Sequence, residues 1–267
     1  MQHDANGAER ERAYVSAQEG WQYSMLDLES LTAASSGQFK RHRDLSDRVA
    51  KSSADAHEND DEGANLAEAA LQEALAGSAE IAQKKALTAI NLSHDLEPEA
   101  LAGLSLALAG NFHEADSVAS DLNKRHPENT EVQLVVSTIR ATILLGDGKS
   151  PEAARKSVEA LIPSAPYELS AMFYMVPVYV RGKAFLAAGK SAEAKIEFQK
   201  ILDHPGVTRN FVMGSLAHLY MGQALAMGGE TQKARAEYET FLALWKDADQ
   251  DLPTLKLAKA SLAALPQ

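Results

Sequence analysis

Two triplets, Gly148-Lys149-Ser150 and Gly189-Lys190-Ser191, end like the loop that cradles nucleotide phosphates. That chemistry also needs a glycine five residues before the Gly-Lys pair, on a strand-to-helix turn. Ile143 and Ala184 stand there instead, inside helix-like stretches. The triplets therefore read as turns between helices, with Ser150 and Ser191 as N-caps. Asp247-Ala248-Asp249-Gln250-Asp251 begins like a calcium loop. Leu252 replaces the glycine of the sharp turn, and Ala258 stands where a bidentate glutamate belongs. The stretch reads as an acidic cap ahead of the last helix. His57 to Glu62, HENDDE, reads as an acidic loop leading into a helix start, where acid complements the helix dipole. The histidines form no HExxH pair, and no GxSxG elbow places a nucleophile. No catalytic residue, metal site or cofactor is expected.

Arg140 and Arg181 are the more informative cations. Each immediately precedes a small residue, Ala141 and Gly182, inside a helix-like stretch. A charge there must find a partner. One reading is structural, with Glu168 a candidate for Arg181. The other is a paired basic site for an acidic peptide.

The elements that would position these residues come from an internal repeat. A glycine followed five residues later by alanine recurs at Gly77/Ala82, Gly110/Ala115, Gly148/Ala153, Gly189/Ala194 and Gly229/Ala234, with Gly37/His42 a degenerate sixth copy. The glycine-to-glycine steps are 40, 33, 38, 41 and 40 residues. Glycine tolerates the left-handed conformation that ends a helix. Alanine one turn into the next helix leaves room for the preceding helix to cross. The pattern predicts helix pairs over 11–34/39–56, 64–76/78–93, 98–109/112–126, 129–145/150–161, 170–188/191–202 and 211–227/231–246. A final helix follows over 255–265, opened by Pro253, with His204 to Val207 as a loop.

Composition agrees. Apolar residues make up 45% of the 267-residue chain and aromatics 6%, and the apolar content leans on the strong helix formers Ala and Leu. The formal charge of −11 opposes nucleic-acid binding. Lys40 to Arg43, KRHR, reads as a solvated helix face. There are no cysteines, hence no disulfide or thiolate chemistry. With no signal-like or membrane-spanning apolar run, a cytoplasmic protein without a membrane segment is expected.

These units resemble tetratricopeptide repeats. Gly182, Ala194 and Phe198 match the family's small, alanine and aromatic positions, and Gly222, Ala234 and Tyr238 match again; Gly103 and Ala115 match with Ala119 in place of the aromatic. The resemblance implies an all-α, right-handed α-solenoid of about six hairpins plus a C-terminal capping helix. The expected organisation is a disordered 1–10, a degenerate hairpin over 11–60, repeats over 61–250 and the cap over 251–267. A concave groove would be lined by Thr138, Thr142, Tyr179, Lys183, Leu219, Tyr220 and Gln223, and would hold a protein or peptide. Residues 60–265, through strings such as APYEL (165–169) and PVYVRGKAFLAAGKSAEAKIEFQKILDH (177–204), also resemble the C-terminal repeat region of bacterial serine/threonine kinases and winged-helix regulators. That implies a regulatory module as the alternative. Kinase activity does not transfer, because no Gly-rich phosphate loop, HRD or DFG motif occurs.

Overall fold

The computed structural model describes residues 22–55, 58–148, 150–161, 174–208 and 210–266. Within them the chain runs through helices α1 (Gln22–Ser35), α2 (Phe39–Asp55), α3 (Asn59–Ala76), α4 (Ala79–Leu92), α5 (Leu96–Leu108), α6 (Phe112–Arg125), α7 (Thr130–Gly148) and α8 (Pro151–Leu161). Then follow α9 (Val176–Ala187), α10 (Ser191–Asp203), the single turn α11 (Pro205–Thr208), α12 (Met213–Met227), α13 (Thr231–Leu244) and α14 (Pro253–Ala263). No strand occurs among the described residues. Helices α3, α5 and α7 each pack on their successor and on the next odd-numbered helix, α1 packs on α2, α9 packs on α10 and α12, and α12 continues the series with α13. This is an all-α solenoid of tetratricopeptide-like hairpins.

Five of the six turn glycines are where the repeat places them, while Gly148 is the last residue of α7. Gly37, Gly77, Gly110, Gly189 and Gly229 take φ between +73° and +90°, the left-handed conformation that closes a helix at little steric cost to glycine. Gly77 N donates to Ala74 O and Ser78 N to Glu73 O, and Gly110 and Asn111 repeat the pattern on Ala107 O and Leu106 O. These paired bonds satisfy carbonyls that a helix end leaves open.

The second helix of each hairpin buries a narrow stripe. In α4 it is Ala82, Ala86 and Ala89; in α6 Ala115, Ala119 and Leu122; in α13 Ala234, Tyr238 and Phe241. The spacing is four then three, one helical face. Helix α10 keeps it at Ala194, Phe198 and Ile201, and α8 runs one residue later at Ala154, Val158 and Leu161. First helices differ. Every residue of α5 from Pro98 to Ala107 is buried, and α3 is buried continuously from Ala69 to Ala76. A helix apolar on all sides belongs inside a fold.

That burial has a cause outside the repeat. The two ends of the stack meet. Trp245 Nε1 and Ser215 Oγ both donate to Ser35 O, at 3.0 and 2.8 Å. Val212 N donates to Gln72 Oε1 at 3.1 Å, and Thr254 Oγ1 to Ala76 O at 2.8 Å. A Cβ on Gly37 would lie 2.5 Å from Ala248 Cβ and 2.8 Å from the Trp245 ring. The inner faces, rich in Ala and Leu, cover one another instead of facing water. An open apolar trough of that size would be costly in a soluble chain. The continuous groove expected from simple stacking is therefore mostly interior packing.

Several local expectations are corrected. The acidic stretch before the second hairpin is not a loop: Asp60, Asp61 and Glu62 form the first turn of α3, where carboxylates favour the dipole. His204 to Val207 is not a loop throughout: Pro205–Thr208 completes a helical turn. Ser150 Oγ does accept from Ala153 N, but Ser191 is the first residue of α10 and Lys190 holds the N-cap position. Asp249 does not cap the last helix. Its Oδ2 accepts from Lys40 N at 2.7 Å, so it caps α2, 209 residues away in the chain. The expected part of the first helix before Gln22 and the start of the fifth hairpin's first helix lie outside the described residues.

Candidate partner-binding site

Helices α7, α9 and α12 present the residues expected in the groove. Thr138 on α7 and Leu219 on α12 are fully buried. Thr138 Oγ1 donates to Leu134 O and Thr142 Oγ1 to Thr138 O, so both hydroxyl protons are held by their own helix. Neither Thr138 nor Leu219 offers a surface to a partner. Gln223 is half-buried and is not among the residues that line the cavity shared by the remaining four. Thr142, Tyr179, Lys183 and Tyr220 do come together, around one cavity of about 470 Å³.

Lys183 Nζ sits 4.0 Å from the centroid of the Tyr220 ring, within reach of a cation–π attraction. Tyr179 meets Tyr220 edge to face at 5.3 Å, and Phe198 stacks on the other side at 5.8 Å. Both phenols are nearly inaccessible, at 4% and 5% exposure. Burial, followed by the neighbouring Tyr220, pushes the Tyr179 hydroxyl well above the usual tyrosine range. Burial also pushes Tyr220 upward, but the Lys183 charge and hydrogen bonds from Tyr179 and Lys183 outweigh it, and its net shift is downward. The lysine thus polarises one phenol of a buried pair.

The rest of the cavity comes from elements the groove expectation did not include. Leu75 and Gly77 end α3, Leu108 and Gly110 end α5, Phe112 opens α6 and Thr254 opens α14. Nothing in the spacing of the repeats reveals them. They reach the site only because the stack closes on itself. The Phe112 ring fills the place that a Cβ on Gly146 would need, 2.3 Å away. A glycine at that step, with an aromatic 34 residues earlier, is the one local signal present.

The two arginines are held separately. Arg181 is 6% exposed, with Nη2 2.5 Å from Glu197 Oε2 on the paired helix α10. The candidate partner Glu168 lies outside the described residues. Arg140 keeps 44% of its side chain exposed, with Nε 3.8 Å from Asp116 Oδ1. It lines a different, shallower cavity of about 680 Å³ with His113 and Ile143. The structure presents no paired basic site from these two.

The repeat positions meet at the helix crossings. A Cβ on Gly182 would fall 2.7 Å from Phe198 Cζ, and one on Gly222 2.6 Å from Tyr238 Cε1. Ala194, Ala234 and Ala115 are fully buried beside them. At Gly103 no aromatic intervenes: Val118 Cγ1 and Ile139 Cδ1 lie 2.8 and 2.9 Å from where a Cβ would sit.

A tetratricopeptide repeat family model matches residues 216–248, most of α12 and all of α13. No curated protein matches the chain. The fold is an all-α helical repeat, and the match assigns its α12/α13 hairpin to the tetratricopeptide repeats, an architecture suited to protein-interaction scaffolds. None of the helices among the described residues is long and apolar enough to cross a membrane.

Proposed function

We propose that the protein is a non-catalytic scaffold that captures a protein or peptide partner at the mouth of its closed concave face. The observation that carries this reading is the stack of tetratricopeptide-like hairpins, with the family match at its C-terminal end. Stacked helix pairs offer a rigid surface whose recognition is set by a few exposed side chains. Lys183 and Gln223 are the half-buried members of the expected lining, so they are the groups a partner would reach first.

Capture from source lysate with purified protein tests it. Lys183→Glu combined with Gln223→Ala should abolish partner recovery while circular dichroism stays unchanged. Undiminished recovery would remove the mouth as the docking site. Tyr179 is left untouched in that variant because its burial would confound binding with stability.

A second reading is supported by the strings at 177–204 and 214–249, which resemble repeat regions attached to bacterial kinases and winged-helix regulators. In it the same scaffold regulates a larger signalling protein. Sequencing the gene on either side of these codons decides it: an adjoining kinase or winged-helix reading frame favours regulation, and none disfavours it.

A further inference from the structure

The cavity beside Lys183 has a chemistry that partner capture does not require. Leu75, Leu108, Phe112 and Val180 supply hydrocarbon walls from four different helices. Among the lining residues Lys183 carries the sole formal charge. No carboxylate among the described residues lies within 4.0 Å of its Nζ, whereas Lys195 and Lys200 on the adjacent helix sit against Glu230 and Glu197. An ammonium facing apolar walls without a counter-charge is poised for an anion.

Helix C-termini at the cavity rim could have reversed that preference, because open carbonyls attract cations. Here four of those carbonyls are occupied. Ala74 O and Ala107 O accept from Gly77 N and Gly110 N. Ala76 O accepts from Thr254 Oγ1, and Ala109 O from Gln83 Nε2 at 2.8 Å. Thr142 and Thr254 have already committed their hydroxyl protons to backbone. The donor left for a ligand is the Lys183 ammonium, beside the Tyr220 phenol.

We infer that this cavity binds a small amphipathic carboxylic acid, with the carboxylate on Lys183 Nζ and the hydrocarbon tail between Leu75, Leu108, Phe112 and Val180. Its volume, about 470 Å³, falls in the range of small-ligand sites. A primary amine would meet the lysine charge and be excluded. An alcohol would gain a neutral hydrogen bond in place of an ion pair. The inference goes beyond partner capture and stands whether or not a protein docks at the same mouth.

Isothermal titration of the full 267-residue chain with octanoate, octylamine and 1-octanol, which share one tail, tests the headgroup. Octanoate should bind saturably at one site, 1-octanol more weakly, and octylamine not at all. Each methylene should tighten binding roughly threefold to fourfold, so hexanoate should bind about tenfold more weakly than octanoate. Lys183→Met should weaken octanoate about 10- to 100-fold and leave 1-octanol unchanged, while Lys183→Arg retains most of the affinity. Octylamine binding as tightly as octanoate, no saturable octanoate heat, or an undiminished Lys183→Met variant would overturn the inference. Should Lys183→Met fail to fold, the headgroup series on the wild type decides alone. A hexapeptide with a free C-terminal leucine is the last arm. Binding of that peptide and not of octanoate would replace the small acid by a chain terminus and overturn the inference. Octanoate binding can fail while partner recovery persists, so the two readings fall separately.

Discussion

Hairpins α5/α6 and α9/α10 make the same helix crossing with different side chains. In α9/α10 the tip of a phenylalanine ring abuts Gly182, and in α5/α6 the equivalent gap at Gly103 is filled by two aliphatic branches, one of them, Ile139, borrowed from α7. Phe198 is fully buried, and so is Ala119, which replaces it in the register. Lost aromatic volume in one repeat was thus recovered from the next repeat along the stack. A second contrast runs through the same region. Arg140 and Arg181 hold one repeat position on α7 and α9, but one is largely solvated and the other is sealed against Glu197. Repeat identity sets where a side chain starts, and neighbouring helices decide whether it ends in water.

The largest expected effect tests the aromatic. Phe198→Ala should lower stability by about 3–5 kcal/mol in urea unfolding, as cavity formation in a rigid core does. Val118→Ala, half-buried in the counterpart hairpin, should be clearly milder. Equal losses would mean that the two crossings are energetically alike.

Arg181→Ala comes next. Removing one member of a buried ion pair strands the other, and about 3 kcal/mol is expected, the low end of that class because Lys200 Nζ stays 3.3 Å from Glu197. Arg140→Ala should stay within about 0.5 kcal/mol, as exposed substitutions do. A large loss at Arg140 would refute the contrast.

Acid sharpens the comparison, because the N-terminal hairpin buries a neutral group rather than an ion pair. His42 is 1% exposed, with Nδ1 on Ser30 and Nε2 without a partner. Burial, only partly opposed by Glu73, brings its pKa down from 6.5 to about 4. Between those values the unfolded chain holds the proton and the native chain does not. Stability should therefore fall as pH drops from about 6.5 to about 4, by up to about 3 kcal/mol, and level off for this group below that. His42→Leu should flatten the slope in melting temperature measured against pH.

The smallest effect concerns the glycines. Gly182→Ala gains about 1 kcal/mol of helix propensity but drives a Cβ into a stiff ring, for a net loss of roughly 1–2 kcal/mol. At Gly103 the Ile139 end can swing away but Val118 Cγ1, 2.8 Å off on a β-branched side chain, cannot, so Gly103→Ala should lose less than Gly182→Ala without being neutral. Matching melting temperatures for the two variants would show the ring to be no stiffer than the branches.

Local chemistry made much of the fold legible. Glycine at the left-handed turns, alanine at the crossings and the four-then-three stripe of Ala115, Ala119 and Leu122 are short-range requirements, and each leaves a mark within a few residues. That Tyr179, Lys183, Tyr220 and Thr142 lie near one another was legible for the same reason, since one-turn spacing on successive first helices brings them level. Thr138 and Leu219 obey that spacing too, yet they are interior, because whether a helix face meets water depends on what lies across from it. Leu75, Phe112 and Thr254 carry no mark of the cavity they line.

The amino-acid order by itself settled the helical hairpin, its repetition and the residues that let two helices cross, because these depend on contacts within one or two turns. Only the tertiary structure decided that the ends of the stack meet, that Asp249 caps a helix at the opposite end of the chain, and that an expected trough becomes a small cavity whose one ammonium meets no carboxylate among the described residues. Those outcomes rest on the summed bend of every crossing, a quantity that no single repeat encodes.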